Sequence, residues 1–324
     1  MKAILCEQFG LPESLVYRDI EPPLLKENQV VIAVEACGVN FPDLLVIQNK
    51  YQLKPELPFS PGGEVVGKVI QVGKSVGKFI VGDRVLALCS WGGLAELVAV
   101  DENRVFKLKE GIDPVKAASI LYNYGTSFHA LKDRANLKGG DRLLVLGATG
   151  GVGLAAVELG KIMGAKVIAA ASSEEKLKLC VERGADEIIN YKQEDLKQRV
   201  KELTSNEGVD VIFDPVGGKF TEQAFRAVAW GGRHLIVGFA NGEIPKIPMN
   251  LPLLKGAAVV GVFWGQFSKV QVEQNLSNLE QLQDWMVEGK INGPQVQKYS
   301  LPNASDALHA LMDRSKSNKG VVVL

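Results

Sequence analysis

Residues 143 to 164 read LLVLGATGGVGLAAVELGKIMG, a strand, a glycine turn and a helix in that order. The apolar run at 143–146 suits a strand buried on both faces. Gly147, Gly150 and Gly153 recur at every third position. Glycines at that spacing let the turn tighten and let backbone N–H groups approach a pyrophosphate, whose charge then faces a helix N-terminus worth roughly half a positive charge. A glycine triplet alone reads equally well as a plain strand-to-helix turn. The strand before it, the amphipathic helix after it and a second strand beyond favour a dinucleotide site.

Outward from this turn the chain alternates. Strands are expected at 167–171, 187–189, 209–213, 233–238 and 257–263, with helices at 174–183, 194–203 and 219–229 between them. Such alternation implies a parallel sheet covered on both faces. Before residue 120 the pattern is different: short β-branched runs (30–34, 64–72, 84–88, 95–100) are punctuated by glycine and proline, as in a compact all-β unit. The stretch GGEVVGKVIQVGKSVGKFIVGDRV, 62–85, spaces glycines between strands as a tightly curved sheet requires. Helix-like runs at 115–121 and 126–134 precede the glycine turn, and runs at 270–288 and 304–314 follow the alternation, which ends in the strand 321–324. The expected fold is α/β: a doubly wound parallel sheet over 124–264, with a β-rich domain made from 1–123 and 265–324.

Composition narrows the function. Lys+Arg and Asp+Glu are both 37, so no long-range field gathers nucleic acid or an anionic membrane, although a small local patch is not excluded. The N-terminus MKAILCEQFG has no signal-peptide character and no apolar run is long enough to span a bilayer, which leads us to expect a cytoplasmic protein. Cys6, Cys37, Cys89 and Cys180 stand far apart, without a CxxC pair or a disulfide framework, and read as small hydrophobes.

The strand after the glycine turn ends in VIAAASSEEK. A preference for NAD calls for an acidic residue there to grip the ribose 2′-hydroxyl. The matching position holds Ala171, followed by Ser172 and Ser173, with Lys176 one helical turn on. Hydroxyls and a cation suit a 2′-phosphate, so NADPH is the expected cofactor. Glu174 and Glu175 oppose this, but first-turn acids commonly serve the helix dipole. Lys176 reads equally as a solvated surface charge.

These features, with ACGVNFPD (36–43), PGGEVVG (61–67), VGDRV (81–85), YGTSFHAL (124–131), RGADEIINY (183–191), DPVGG (214–218) and VGFANG (237–242), resemble the quinone oxidoreductase (zeta-crystallin-like) branch of the medium-chain dehydrogenase/reductase superfamily over essentially the whole chain. The resemblance implies a GroES-like domain beside the Rossmann domain. It implies cofactor contacts from Thr126 at the nicotinamide end, from Thr149, Gly150, Gly151 and Val152 at the pyrophosphate, and from Ser172, Lys176 and Tyr191 at the 2′-phosphate. Val237, Gly238, Phe239 and Ala240, with Phe263, Trp264 and Gly265, would line the nicotinamide, although an aromatic pair at a strand end also reads as packing. The zinc ligands of the related alcohol dehydrogenases match Asn40 and Gly63, so no metal is expected. Cys37 lies three residues early in the motif and has no partner ligand nearby in sequence. His129, His234 and His309 read as packed or surface residues.

Hydride transfer to a conjugated carbonyl needs hydrogen-bond donors for the negative charge that grows on its oxygen. Asn40, through its amide, and Tyr51, through its phenol, are the candidate catalytic residues; each also reads as an ordinary loop residue. Asp43 is expected to anchor the loop, and the resemblance gives Glu64 a supporting place. Two alternatives stay open: a reductase of enoyl thioesters or other α,β-unsaturated carbonyls, and a non-catalytic NADPH-binding protein. The apolar edge strand AAVVGVF, 257–263, is expected to pair with a second copy in a homodimer.

Overall fold

The computed structural model describes residues 1–52, 54–313 and 318–324, arranged as two compact units. Unit 1 comprises Met1–Tyr122, Gln271–Val287 and Gly293–Leu324; unit 2 comprises Asn123–Val270 and Glu288–Asn292. Unit 2 thus takes in residues 265–270 and 288–292, beyond the expected limit at 264.

The N-terminal part of unit 1 begins with the antiparallel pair β1 (Lys2–Leu5) and β2 (Val16–Asp19). Then come β3 (Gln29–Gly38), the short helix α1 (Phe41–Val46), β4 (Glu64–Val72), β5 (Arg84–Leu88), β6 (Leu97–Asp101) and β7 (Val105–Lys107). β3 pairs with both β4 and β6, and its ladder with β4 shifts register at 31/32 and 34/36. Such bulges bend the sheet around its own core. Gly67 sits on the bend because a Cβ there would lie 2.1 Å from the Ala33 carbonyl oxygen.

Helix α2 (Pro114–Phe128) runs on into a π-helical turn, His129–Arg134. The sequence reads as two runs because Gly125 interrupts it; the glycine is needed because the Trp264 ring comes within 2.4 Å of where its Cβ would stand. Unit 2 continues with β8 (Arg142–Leu146), α3 (Gly151–Ile162), β9 (Lys166–Ala171), α4 (Glu174–Glu182), β10 (Glu187–Asn190), α5 (Leu196–Leu203) and β11 (Val209–Asp214). It closes with α6 (Lys219–Phe225), β12 (Val228–Ile236), α7 (Asn250–Lys255), β13 (Ala258–Gly261) and α8 (Trp264–Val270). Its six strands are parallel and ordered β10-β9-β8-β11-β12-β13, two series wound outward from β8 and β11. Ligands of such sheets bind at the C-terminal strand ends where the winding reverses. Local sequence sets the helix starts: Ser173 and Asp195 cap α4 and α5 by accepting the N–H groups of Lys176 and Gln198.

Some boundaries differ from expectation. The expected helix 219–229 stops at Phe225, because Val228 already pairs with Val209 as the start of β12. The edge strand is only Ala258–Gly261, since Trp264 opens α8. After it, α9 (Val272–Val287), β14 (Val296–Ser300), α10 (Ala304–Met312) and β15 (Lys319–Val323) belong to unit 1. The last residue of the expected helix 304–314 lies outside the described residues. The larger unit 1 sheet runs β14-β15-β3-β4-β5-β7, with β6 also on β3. Among the described residues no helix is long and apolar enough to cross a membrane.

Candidate functional site

In unit 2 the glycine turn stands at the reversal between β8 and β11. Gly147 has φ of +57°, a left-handed conformation that favours glycine. A Cβ on Gly153 would lie 2.2 Å from the Gly147 carbonyl oxygen, so α3 packs directly on the turn. Gly150 is different: its Cβ would meet nothing closer than 3.4 Å. Packing does not demand a glycine there, and the exposed N-terminus of α3, flanked by Thr149, Gly151 and Val152, keeps open backbone of the kind a pyrophosphate fits. Ser127 Oγ donates to the Val152 carbonyl at 2.8 Å, which brings its neighbour Thr126 to the first turn of α3.

The ribose end is equally ordered. The Tyr191 N–H donates to the Ala171 carbonyl at 3.1 Å, placing Tyr191 beside Ser172 at neighbouring strand ends. The Tyr191 ring packs on Phe220, 4.2 Å between centroids, with Lys219 over the far ring at 5.3 Å. Ala171 is buried, whereas Ser172 is exposed and Lys176 half-buried. Glu174 and Glu175 are exposed in the first turn of α4.

At the other side of the reversal, the N–H groups of Val237 and Gly238 donate to the Asp214 carbonyl, and that of Ala240 to Pro215. Phe239 and Ala240 are exposed. The Asp214 carboxylate accepts from the N–H groups of Val216 and Gly217, both at 2.9 Å, from Thr221 Oγ1 at 2.6 Å and from His234 Nε2 at 3.1 Å. Burial alone would raise this carboxyl; the hydrogen bond and electrostatics of His234, with the hydrogen bonds from Thr221 and the Gly217 N–H, outweigh it and hold the group below the usual range. The sequence marks DPVGG but not this function of its aspartate, which is to fix the loop after β11. Trp264, expected along the nicotinamide, is instead buried over Gly125, while Phe263 is exposed and Gly265 half-buried. The large indole is taken up in packing within the unit.

Unit 1 holds the second polar group. Asn40 is buried, and its amide is fully engaged: Nδ2 donates to Glu64 Oε1 at 2.8 Å and to the Gly38 carbonyl at 3.3 Å, while Oδ1 accepts from Lys319 Nζ. The expectation that Asn40 offers an N–H to an acceptor is therefore corrected; both amide hydrogens are committed to ordering the loop. Lys319 Nζ also donates to Glu64 Oε1 at 2.8 Å, and the Tyr122 N–H donates to Glu64 Oε2 at 2.6 Å. Gly38 admits this group because a Cβ would lie 1.9 Å from the Ala118 carbonyl oxygen and 2.3 Å from Glu64 Oε1.

Tyr51 remains a candidate donor. It is half-buried, its phenol 3.5 Å from that of Tyr122. Burial pushes the Tyr122 phenol well up, with Tyr51 adding to the effect, so Tyr122 stays protonated. Nothing local in the sequence marks Tyr122 or Lys319. The register of β15 on β3, Val321 opposite Gly38, brings Lys319 level with Asn40.

Asp43 caps α1, accepting the Asn40 N–H at 2.7 Å. Burial pushes its carboxyl up to about 7 against the pull of that hydrogen bond and of Lys319. A folded value above the unfolded one stabilises the fold fully below about pH 4, and this stabilisation is lost as pH rises through about 7. Asp43→Asn should therefore flatten a decline in unfolding midpoint across that window; an unchanged pH profile would contradict the assignment.

Comparison with known proteins adds the family. Residues 26–110 match the alcohol dehydrogenase GroES-like domain, and residues 151–281 the family described as zinc-binding dehydrogenase. A quinone oxidoreductase-like protein 2 homolog of Nematostella vectensis is 39% identical over 325 residues, covering 99% of this chain and 88% of that protein. The chain belongs to the quinone oxidoreductase branch of the medium-chain dehydrogenase/reductases.

Among solved structures, a probable oxidoreductase from Mycobacterium abscessus is 36% identical with a TM-score of 0.89, over 100% of this chain and 99% of that one. The Escherichia coli quinone oxidoreductase, solved in complex with NADPH, is 26% identical with a TM-score of 0.91 over 100% of both chains. Like other medium-chain dehydrogenase/reductases, the chain joins a GroES-like unit to a Rossmann unit, and it is an oxidoreductase. In its GroES-like unit, Asn40 Oδ1 accepts from Lys319 Nζ, and a Cβ on Gly63 would lie 3.6 Å from Asp43 Oδ1.

Proposed function

We propose that this protein is an NADPH-dependent, zinc-independent reductase of quinones or related conjugated carbonyl compounds. The observation that carries the reading is the open glycine turn at the sheet reversal, continued by a ribose end that presents Ser172, Lys176 and Tyr191 and no carboxylate at the last strand position. NADPH bound there would supply a hydride, which with one proton from water would take a quinone to its hydroquinone and leave NADP⁺. The NADPH bound to the Escherichia coli relative supports the same cofactor here.

The chain's own residues divide the remaining work. The N–H groups at the start of α3 and its dipole hold the pyrophosphate. Thr126, Val237 to Ala240 and Gly265 border the nicotinamide end. Tyr51 donates its phenolic hydrogen bond to the acceptor oxygen as charge grows there. Lys319 neutralises Glu64 internally and helps order the loop carrying Asn40 and Asp43, which supports the zinc-independent reading.

NADPH oxidation measured with a panel of quinones, enones and acyl thioesters tests the reaction; no turnover of any quinone would refute it. Activity should survive chelation, and stoichiometric zinc lost together with activity would overturn the zinc-independent reading.

The protein is proposed to act as a homodimer. β13 is a sheet edge with Val259 exposed, and Trp230, Met249, Leu253 and Leu254 are 80%, 80%, 77% and 67% exposed in the same unit. Edges and apolar surface of this kind are covered by twofold pairing. Light scattering should give twice the chain mass at micromolar concentration, falling to the chain mass in Val259→Glu; a wild-type monomer would contradict the proposal.

A further inference from the structure

Segment 237–241 follows β12 and hangs on the end of β11. The N–H groups of Val237 and Gly238 donate to the Asp214 carbonyl at 2.9 and 3.3 Å, that of Ala240 to Pro215 at 3.0 Å and that of Asn241 to Val216 at 2.9 Å. The direction taken by residues 214–216 therefore decides where 237–241 lies. The loop after β11 is not rigid by composition, because Gly217 and Gly218 both stand at left-handed φ, +73° and +61°, and fixing a glycine costs the most conformational entropy. Glycines are needed there by close approach. A Cβ on Gly217 would lie 2.9 Å from the Glu243 carbonyl oxygen, and one on Gly218 2.5 Å from Asn241 Nδ2.

The Asp214 carboxylate fixes this loop, and its two oxygens divide the work. Oδ1 accepts from the Val216 and Gly217 N–H groups, both at 2.9 Å. Oδ2 accepts from Thr221 Oγ1 at 2.6 Å and from His234 Nε2 at 3.1 Å. His234 reaches it because it stands opposite Ile212, two residues before Asp214 and so on the same face of the sheet. Phe225 of α6 stacks on the imidazole, 5.6 Å between centroids. Among the described residues, the bond to Asp214 is the ring's one hydrogen bond, since Nδ1 has no partner. Asp214, Thr221 and His234 are all buried, so water cannot replace either side-chain donor. Neither donor can touch a bound cofactor; each acts only through Asp214.

We infer that His234 and Thr221 are positioning residues for the nicotinamide: by clamping one oxygen of Asp214 they aim the other at the Val216 and Gly217 N–H groups, and so set the ledge 237–241 along which the ring lies. The inference rests on the reductase reading above and extends it to two residues with no access to cofactor or acceptor. Hydride transfer tolerates little error, since a misplacement of about 1 Å can cost about a hundredfold in rate.

The test compares four variants with wild type. His234→Phe keeps a ring against Phe225 and deletes the donor, His234→Gln restores a donor, and Thr221→Val deletes the second one. Leu196→Ala, in the core beneath α5, lowers stability without removing a bond to Asp214. Each is titrated calorimetrically with NADPH and with 2′-phospho-ADP-ribose, which has the same phosphates and no nicotinamide, and is assayed with menadione. His234→Phe and Thr221→Val should bind 2′-phospho-ADP-ribose within about twofold of wild type, lose most of the extra affinity that the nicotinamide gives NADPH, and drop kcat about ten- to a hundredfold at saturating NADPH. His234→Gln should recover part of each loss, and Leu196→Ala should keep both quantities. Equal losses for the two ligands, no loss, a wild type that binds both ligands equally, or the same losses in Leu196→Ala would overturn the inference. Should His234→Phe fail to fold, Thr221→Val and His234→Gln decide by the same readings. If wild type reduces no quinone, the reductase reading fails and the two titrations decide alone: a nicotinamide contribution lost in the donor-deleted variants keeps the positioning role, and an unchanged one removes it.

Discussion

Lys319→Met should destabilise unit 1 by about 3–5 kcal/mol, the usual cost of removing one partner from a buried ion pair. The Lys319 and Glu64 side chains are 5% and 0% exposed, so solvent cannot replace the lost ammonium. Glu64 would be left with only the Asn40 amide and the Tyr122 N–H, and Asn40 Oδ1 would lose its donor. The double variant Glu64→Gln/Lys319→Met should be more stable than Lys319→Met alone, because it removes the stranded charge as well. Chemical denaturation followed by a probe in unit 1 measures both; a Lys319→Met midpoint equal to wild type would show that the pair does not hold the unit together.

The second large effect concerns the cofactor. Lys176→Ala should raise KM for NADPH about ten- to a hundredfold and leave NADH almost unchanged, since only NADPH has a 2′-phosphate to lose. The structure also moves the position at which preference can be reversed. Ala171 is 2% exposed, so a carboxylate there would be forced into the core, whereas Ser172 is exposed beside Tyr191. Ser172→Asp should repel the phosphate and offer an acceptor to the free ribose hydroxyl, shifting preference toward NADH. Equal losses for both cofactors in Lys176→Ala would detach that residue from the phosphate.

The Rossmann unit was legible because its signals are local. Strand, glycine turn and helix follow one another within 143–164, and each later strand carries its own apolar run. Its errors lie where contact across the fold decides. Gly125 looks like a helix break until Trp264 is seen beside it, and Trp264 looks like a cofactor wall until its ring is found packed. The polar group of unit 1 was only half legible. Asn40, Asp43 and Glu64 belong to motifs, but the Asn40 amide is spent on Glu64 and the Gly38 carbonyl, which no spacing foretells. Lys319 stands before an apolar strand, an ordinary surface pattern, and acquires meaning only from Glu64 and Asn40 opposite it.

The buried pair also sets a timetable for synthesis. Glu64 emerges 255 residues before Lys319, an interval of roughly 13 to 50 s at ordinary elongation rates. Through that interval the first five strands of the large GroES-like sheet exist without the strand that neutralises their centre. The Rossmann sheet, whose six strands lie within 142–261, has all its partners much sooner. A nascent chain therefore completes its Rossmann sheet before the ion pair of the GroES-like sheet can form, and a chain cut short before residue 319 lacks the cation that Glu64 pairs with.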